Sequence, residues 1–276
     1  MSLASFKYTH FTSPLQGEVK WAEHKPFPQV IHPMNFDIIT LFPEFFNSSL
    51  ECGTLRIARQ KGLISLGFTN PRDFTEDGFV DDYQFGGGGG MVLKPEPVVK
   101  AVNHVRRETS RLIYLTPKGR LLNQGMVQEL AKEQHIVFIC GRYKGIDERI
   151  NQLFNPSPIS IGDYILAGGE TAALVVIEAI TRLIPGVLGN KDSAESDSLQ
   201  GGLLEPPIYT RPDVYKKLEV PRILKNGNHR AIFDWRRRES LKITLDKRPD
   251  LIPAEEYTTK DLEILLEVLN DKDSSV

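Results

Sequence analysis

Between residues 34 and 189 the chain carries short apolar runs of two kinds, separated by polar and glycine-rich stretches. NFDIITLF after Met34, ISLGFT (Ile64–Thr69), Leu112–Leu115 and Ile136–Cys140 are compact and rich in β-branched residues, so they read as buried strands. Pro95 to about Arg107, Gln124–Lys132 and Thr171–Leu183 instead space their apolar residues for helices, the first opening on a proline that suits a first turn. The last of these is apolar almost all round, which predicts a buried or interfacial helix. Strands alternating with helices predict an α/β domain with a mainly parallel sheet.

That pattern fails at both ends of this region. Residues 1–33 show no sustained periodicity, prolines recur at Pro14, Pro26, Pro28 and Pro33, and the segment reads either as a disordered extension of a fold that starts near Met34 or as the product of an early start codon. Residues 190–202 (NKDSAESDSLQGG) are small and polar, which is the composition of a flexible linker. Beyond them AIFDWRRRESLKITL and AEEYTTKDLEILLEVLN have helical patterns. The expected organisation is an α/β domain over 34–189, a linker over 190–202 and a smaller C-terminal α-helical domain over 203–276.

Composition adds exclusions. At 40% hydrophobic and 25% charged over 276 residues, the chain is globular in character, not disordered. Its net charge, 34 − 36 = −2, argues against a uniformly basic coat protein. The distribution is more informative: residues 211–248 hold 12 Lys/Arg against 5 Asp/Glu, and residues 249–276 hold 2 against 8. The basic stretch, with Trp235, Arg236, Arg237 and Arg238, suits a phosphate backbone and equally suits a solvated helix face. Two distant cysteines, Cys52 and Cys140, exclude a disulfide scaffold and point to a reducing compartment. No apolar run reaches the roughly 18 residues of a membrane span, since Glu178 interrupts Ala172–Ile180. The N-terminus has neither a secretory apolar core nor arginine, so a soluble cytoplasmic protein is expected.

The candidate chemistry lies in loops. DDYQFGGGGGM carries five glycines, Gly86 to Gly90, followed by no Lys-Ser/Thr and preceded by no buried strand. It is therefore neither a Walker loop nor a dinucleotide fingerprint; a flexible loop and a loop that receives a nucleotide both remain open. LIYLTPKGR, FICGRYKGIDER and SIGDYILAGGE each place glycines at or after the end of an apolar run. In open α/β sheets ligands sit outside the carboxyl ends of the strands, so three such loops converging there predict a nucleoside-sized site. Asp197 in the linker and Arg182 at the end of the Thr171–Leu183 helix are unremarkable alone, as a solvated acid and a helix-dipole partner. Six scattered histidines show no metal-ligand spacing, and no Ser-His-Asp or Cys-His arrangement is visible, so no metal ligands are assigned and hydrolytic chemistry is not expected.

Taken in order, LFPEFF, NPRDFT, DDYQFGGGGGM, IYLTPKGR, CGRYKGIDER, SIGDYILAGGE, RLIPGVLGN, SAESDS and GLLEPPIYTRP resemble the bacterial tRNA (guanine-N1-)-methyltransferase family of the SPOUT class, over about residues 34–250. The resemblance implies a trefoil-knotted α/β methyltransferase domain, a homodimer with the active site between subunits, and S-adenosylmethionine as cofactor. It implies methyl transfer to N1 of the guanosine immediately 3′ of the tRNA anticodon, position 37. By motif position the cofactor contacts are Tyr114, Leu115, Thr116, Pro117, Gly141, Ile161, Gly162, Asp163, Tyr164, Ile165, Leu166, Gly168 and Gly169. Asp197 corresponds to the family's general base and Arg182 to the residue near the guanine oxygen. One departure is Lys144, where the family pattern has glutamate. It weakens the expectation of Mg2+ as a second cofactor unless a neighbour such as Glu170 compensates. Two alternatives are a related methyltransferase acting on another RNA base and a catalytically silent tRNA-binding protein.

Overall fold

A computed structural model describes residues 33–188, 198–199, 202–252 and 258–273, which leaves almost all of the expected extension and most of the expected linker outside the described residues. The strands are β1 (Met34–Ile39), β2 (Ile64–Thr69), β3 (Asp81–Tyr83), β4 (Met91–Leu93), β5 (Arg111–Leu121), β6 (His135–Cys140), β7 (Ser157–Ser160), β8 (Val214–Tyr215) and β9 (Leu218–Glu219). Five of them form one sheet in the order β2-β1-β6-β5-β7, every neighbouring pair parallel. The described residues hold eight α-helices: α1 (Asn47–Leu50), α2 (Gly53–Gln60), α3 (Pro95–Val105), α4 (Gln124–Leu130), α5 (Glu148–Phe154), α6 (Glu170–Leu183), α7 (His229–Lys247) and α8 (Thr259–Asp273). The expected α/β class is correct, and the four predicted strands are present as β1, β2, β6 and the first half of β5, while β3, β4 and β7 were not anticipated.

Helices cover the sheet on both faces. The central strand β6 is therefore buried at all six positions, and its sequence HIVFIC is apolar after the first residue. Side-chain alternation divides it between two cores. Ile136, Phe138 and Cys140 join a cluster with Phe36, Ile113 and the α6 residues Ala173, Val176, Ile177 and Ile180. Val137 and Ile139 join the opposite cluster, with Val98, Ala101 and Val102 of α3 and Ile150 of α5. α6 is not buried all round: Thr171, Val175, Glu178 and Arg182 lie on one exposed stripe.

β5 runs beyond its predicted end at Leu115. Both Leu115 and Arg120 stand opposite Ile159 of β7, so Thr116 to Gly119 is looped out before pairing resumes through Leu121. Apolar periodicity stops at TPKG, which is why the second half of the strand is invisible to pattern reading. Pairing resumes because position 119 has no side chain: a Cβ there would lie 2.4 Å from the Ile159 nitrogen and 2.5 Å from the Pro158 carbonyl carbon.

Past residue 202, α7 and α8 pack through Leu241, Ile264, Leu265 and Val268, with Leu203 joining them. The Leu204 N–H donates to Thr244 Oγ1 at 2.9 Å, and the Ser240 hydroxyl donates to the Leu204 carbonyl, so 203–204 is fastened to α7. Asn228 caps α7 by accepting from the Ala231 N–H at 3.1 Å. No helix among the described residues is long and apolar enough to cross a membrane.

The backbone clash at position 119 can be tested in urea. Gly119→Ala is expected to lower stability by about 2 kcal/mol or more, whereas Gly125→Ala, whose added methyl meets only the Asn123 side chain at 3.5 Å, stays neutral or gains up to about 1 kcal/mol. Equal midpoints for Gly119→Ala and wild type would refute the close approach.

Candidate active site

Because the five strands are parallel, Thr40, Thr116, Gly141 and Ile161, which end or interrupt four of them, share the carboxyl edge of the sheet. Backbone hydrogen bonds fasten the loops there. The Gly169 N–H donates to the Gly141 carbonyl at 3.0 Å, and Arg142 and Gly168 form an antiparallel bridge. On the other side of loop 141–147, the Lys144 N–H donates to Met91 and the Leu93 N–H to Gly145, both at 3.0 Å. The five-glycine run is thus the turn of the β3–β4 hairpin, and that hairpin leans on the loop after β6. Gly86, Gly87, Gly88 and Gly90 all take positive φ, which explains the residue type without a ligand.

One buried charge organises this edge. Glu170, the first residue of α6, is 2% exposed and accepts from the Thr40 hydroxyl at 2.8 Å and from Arg142 Nε at 3.3 Å. The second Arg142 nitrogen stands 3.2 Å from Glu170 Oε2, and the guanidinium lies 4.3 Å from the centre of the Phe42 ring. Glycine at 168 and 169 lets the chain pass close by: a Cβ on Gly168 would meet Arg142 and Glu170 at 2.4 Å, and one on Gly169 would meet the Cys140 Cα at 2.8 Å. Burial, reinforced by the Glu170 charge and partly offset by Arg142, pushes the Cys140 thiol well above its ordinary pKa. Burial also raises the Tyr114 phenol, opposed by hydrogen bonds to the Ile146 backbone and Thr116.

The structure gathers most of the residues singled out from the sequence and changes what several of them offer. Tyr114 and Leu115 face opposite cores, so only their backbone is available at the strand end. Thr116 is buried and Pro117 is exposed on the looped-out segment. Gly141 sits against the Tyr114 ring, where a Cβ would meet Cε2 at 3.0 Å. Ile161 and Gly162 are half-buried, and Asp163, Tyr164, Ile165 and Leu166 are exposed, Ile165 by 82%. Arg182 is not part of this cluster: it lies twelve residues along α6 from Glu170, about 18 Å by helical rise. Asp197 lies outside the described residues. Glu170 is committed to Thr40 and Arg142, so it is not the free carboxylate that would compensate for Lys144. Among the described residues, no group of three or more His, Cys, Asp or Glu is placed to hold a metal ion.

Sequence reading missed the Thr40–Glu170–Arg142 group, whose members stand 28 and 130 residues apart in sequence. It also denied a Ser-His-Asp arrangement, and here the structure corrects it. Ser110 Oγ lies 2.7 Å from His135 Nδ1, and His135 Nε2 lies 2.8 Å from Asp37 Oδ2. The ring nitrogens are used the opposite way round from a serine hydrolase, the imidazole is 1% exposed, and the Ser110 oxygen already accepts the Arg107 N–H at 2.6 Å. The arrangement ties β1 to the starts of β5 and β6 and leaves no free nucleophile.

An open parallel sheet covered on both faces, with glycine-dependent loops joined at its carboxyl edge, defines a doubly covered α/β protein of the kind that takes ligands at that edge. Comparison with known proteins narrows the class: the sequence profile of the tRNA (Guanine-1)-methyltransferase TrmD family matches residues 34–254. The tRNA (guanine-N(1)-)-methyltransferase of Dictyoglomus turgidum is 48% identical over 237 residues, covering 85% of this chain and 96% of its own. Those of Carboxydothermus hydrogenoformans and Dehalococcoides mccartyi are 49% and 46% identical, covering 84% and 87% of this chain and 92% and 98% of theirs. The chain belongs to the tRNA (guanine-1)-methyltransferase family.

Two outcomes follow from the buried edge. Arg142→Met leaves Glu170 buried with one hydroxyl partner, and urea unfolding is expected to show a loss of about 3 kcal/mol, part of which Glu170→Gln in the same chain restores. A thiol reagent at neutral pH is expected to modify one cysteine in the native protein, the exposed Cys52, and two after denaturation. Two reactive thiols in the native state would contradict the burial of Cys140.

Proposed function

We propose that this chain transfers a methyl group from S-adenosylmethionine to N1 of the guanosine immediately 3′ of the anticodon of tRNA. The observation that carries the reading is the joined set of loops at the carboxyl edge, in a chain whose relatives bear the name of that reaction. The donor set suits a neutral adenosine: backbone groups of Leu115 to Pro117 and Gly141, and a 161–169 loop that offers exposed Ile165 and Leu166 beside backbone amides. Gly141, Gly168 and Gly169 keep the floor free of Cβ atoms, each of which would meet a neighbour at 3.0 Å or less. S-adenosylmethionine, when bound there, supplies an activated methyl.

The chain's own task is to make guanine N1 a nucleophile. That nitrogen carries a proton, and a general base must remove it as the methyl arrives. Asp197 is the proposed base, delivered on the 190–202 linker, and Arg182 is proposed to stabilise the negative charge that develops on the guanine oxygen. The distance of Arg182 from the 141/168/169 edge in one chain favours a site completed by a second copy, so we infer a homodimer in which one subunit's cofactor loops face the other's Arg182. Val175 on the exposed stripe of α6, 41% exposed beside Arg182 and Glu178, is consistent with such a contact. The looped-out 116–119 segment, which rejoins β7 at Gly119, is consistent with the trefoil-knotted domain of the family over 34–189, and α7 and α8 with a tRNA-binding helical domain over 203–276. Lys144, exposed on the loop after β6, offers no ligand to Mg2+.

Transfer of labelled methyl to tRNA transcripts with and without guanosine after the anticodon tests the reaction. Label is expected only with the guanosine present. Equal label in both sinks the guanosine as the target, and none in either favours a silent binder. Asp197→Asn is expected to lower kcat by about 100-fold or more with tRNA affinity retained.

A further inference from the structure

Residues 211–248 carry an excess of Lys and Arg that includes Arg236, Arg237 and Arg238, but the folded chain redistributes that charge. Arg237 is bound bidentately by Asp261 of α8, at 2.9 and 3.1 Å, and Arg238 by Glu267 at 2.7 Å. Hydrogen bonds from Arg237 and Thr258 overcome the effect of burial and hold the Asp261 carboxyl below its ordinary pKa, so that pair stays ionised. Lys225, Arg230, Lys247 and Arg248 also have acidic partners. Among the described residues no acid pairs with Arg211, Lys216, Lys217, Arg222, Arg236 or Lys242. Four of those six lie between 211 and 222, and all six are exposed.

That segment is built around the β8–β9 hairpin. Val214 pairs with Glu219 and Tyr215 with Leu218, so Lys216 and Lys217 form a two-residue turn. Their φ angles are +50° and +69°, the left-handed conformation that such turns require and that asparagine and glycine adopt with least strain. Lysine at both positions works against local stability. The hairpin recovers little by packing, since Val214, Tyr215 and Leu218 are 52%, 62% and 75% exposed. The Lys216 ammonium stands 5.5 Å from the centre of the Tyr215 ring. At the hairpin base, an open cleft of about 600 Å³ is lined by Arg211, Tyr209, Ile232 and Arg236 among others.

We infer that the β8–β9 hairpin is a phosphate-gripping finger, with Lys216 and Lys217 at its tip and Arg211 and Arg236 at its base contacting the phosphodiester backbone of the tRNA. This deepens the proposed function and rests on it for the identity of the RNA. A conformationally unfavourable residue pair on a sparsely packed hairpin, in the stretch that holds four of the six basic residues without an acidic partner among the described residues, is what a polyanion contact selects for and what fold stability alone does not. The exposed Tyr215 adds a flat apolar face beside the ammonium groups for an unstacked base.

The test uses the full-length protein, a tRNA transcript and the variant Lys216→Asn/Lys217→Gly, which places the preferred turn residues at the tip and removes both charges. Its melting temperature is expected to rise. Its Kd for the transcript is expected to increase on the order of tenfold, and the slope of log affinity against log salt to flatten by about two. Arg238→Gln, whose charge is already bound by Glu267, is expected to leave that slope near the wild-type value. Lys216→Arg/Lys217→Arg is expected to retain affinity. Wild-type Kd and slope in the Asn-Gly variant overturn the finger, as does a loss of affinity in the Arg-Arg variant equal to that of the Asn-Gly variant. These are equilibrium measurements, so failure of methyl transfer by the wild-type enzyme would count against the proposed reaction and leave the finger to be judged separately.

Discussion

A carboxylate with its oxygens removed from water holds the carboxyl edge of the sheet together. Glu170 opens α6, where the helix dipole favours a negative charge, but burial to 2% exposure costs more than that dipole returns. The balance comes from Thr40 at the end of β1 and Arg142 just past β6, and Arg142 is itself stacked on Phe42. Three segments far apart in sequence are fixed by one charge. The consequence reaches the backbone: Gly168 and Gly169 have to pass within contact distance of Arg142 and Cys140, and the loop before them is presented toward Gly141. What sits at the carboxyl edge is therefore a rigid arrangement of backbone groups held by glycine-dependent close approaches.

The second organising constraint is the return of β5 to β7 after the excursion at 116–119. Two stretches of one strand share a partner because Gly119 lets backbone approach backbone. The looped-out residues are thereby pinned at both ends, on the same edge as Gly141 and the 161–169 loop. A similar economy governs the C-terminal helices, where the acids of α8 pair with arginines of α7 around the core of Leu241, Ile264 and Leu265. Internal pairing there both steadies the helix pair and decides which positive charges remain outward.

β1, β2, the first half of β5 and β6, with α3, α4 and α6, were legible because burial on both sheet faces leaves compact apolar runs, HIVFIC being the clearest, whereas the short elements β3, β4, β7, α1, α2 and α5 gave too little pattern to be read. The second half of β5 was not legible either, since TPKG carries no periodicity and its pairing depends on the absence of a side chain at 119. The carboxyl-edge loops could be picked out from their glycines, yet the side chains of Tyr114 and Leu115 turned out to be core, because alternation sends them to opposite faces. Ser110, His135 and Asp37 show the reverse error, an arrangement absent from linear spacing that parallel pairing of β1, β5 and β6 assembles.

Residue order alone was enough for the α/β class, the positions of the loops at the strand ends, the family, and the existence of a basic stretch followed by an acidic one. All of these are properties of residue order and local periodicity. The folded chain adds that Glu170 is an internal partner, that Arg182 stands a helix length from the 141/168/169 edge, and that Arg237 and Arg238 are bound by acids of α8 while Lys216 and Lys217 are not. Burial and ion pairing are set by which distant segments are brought within a few ångströms, and that information exists only in the folded chain.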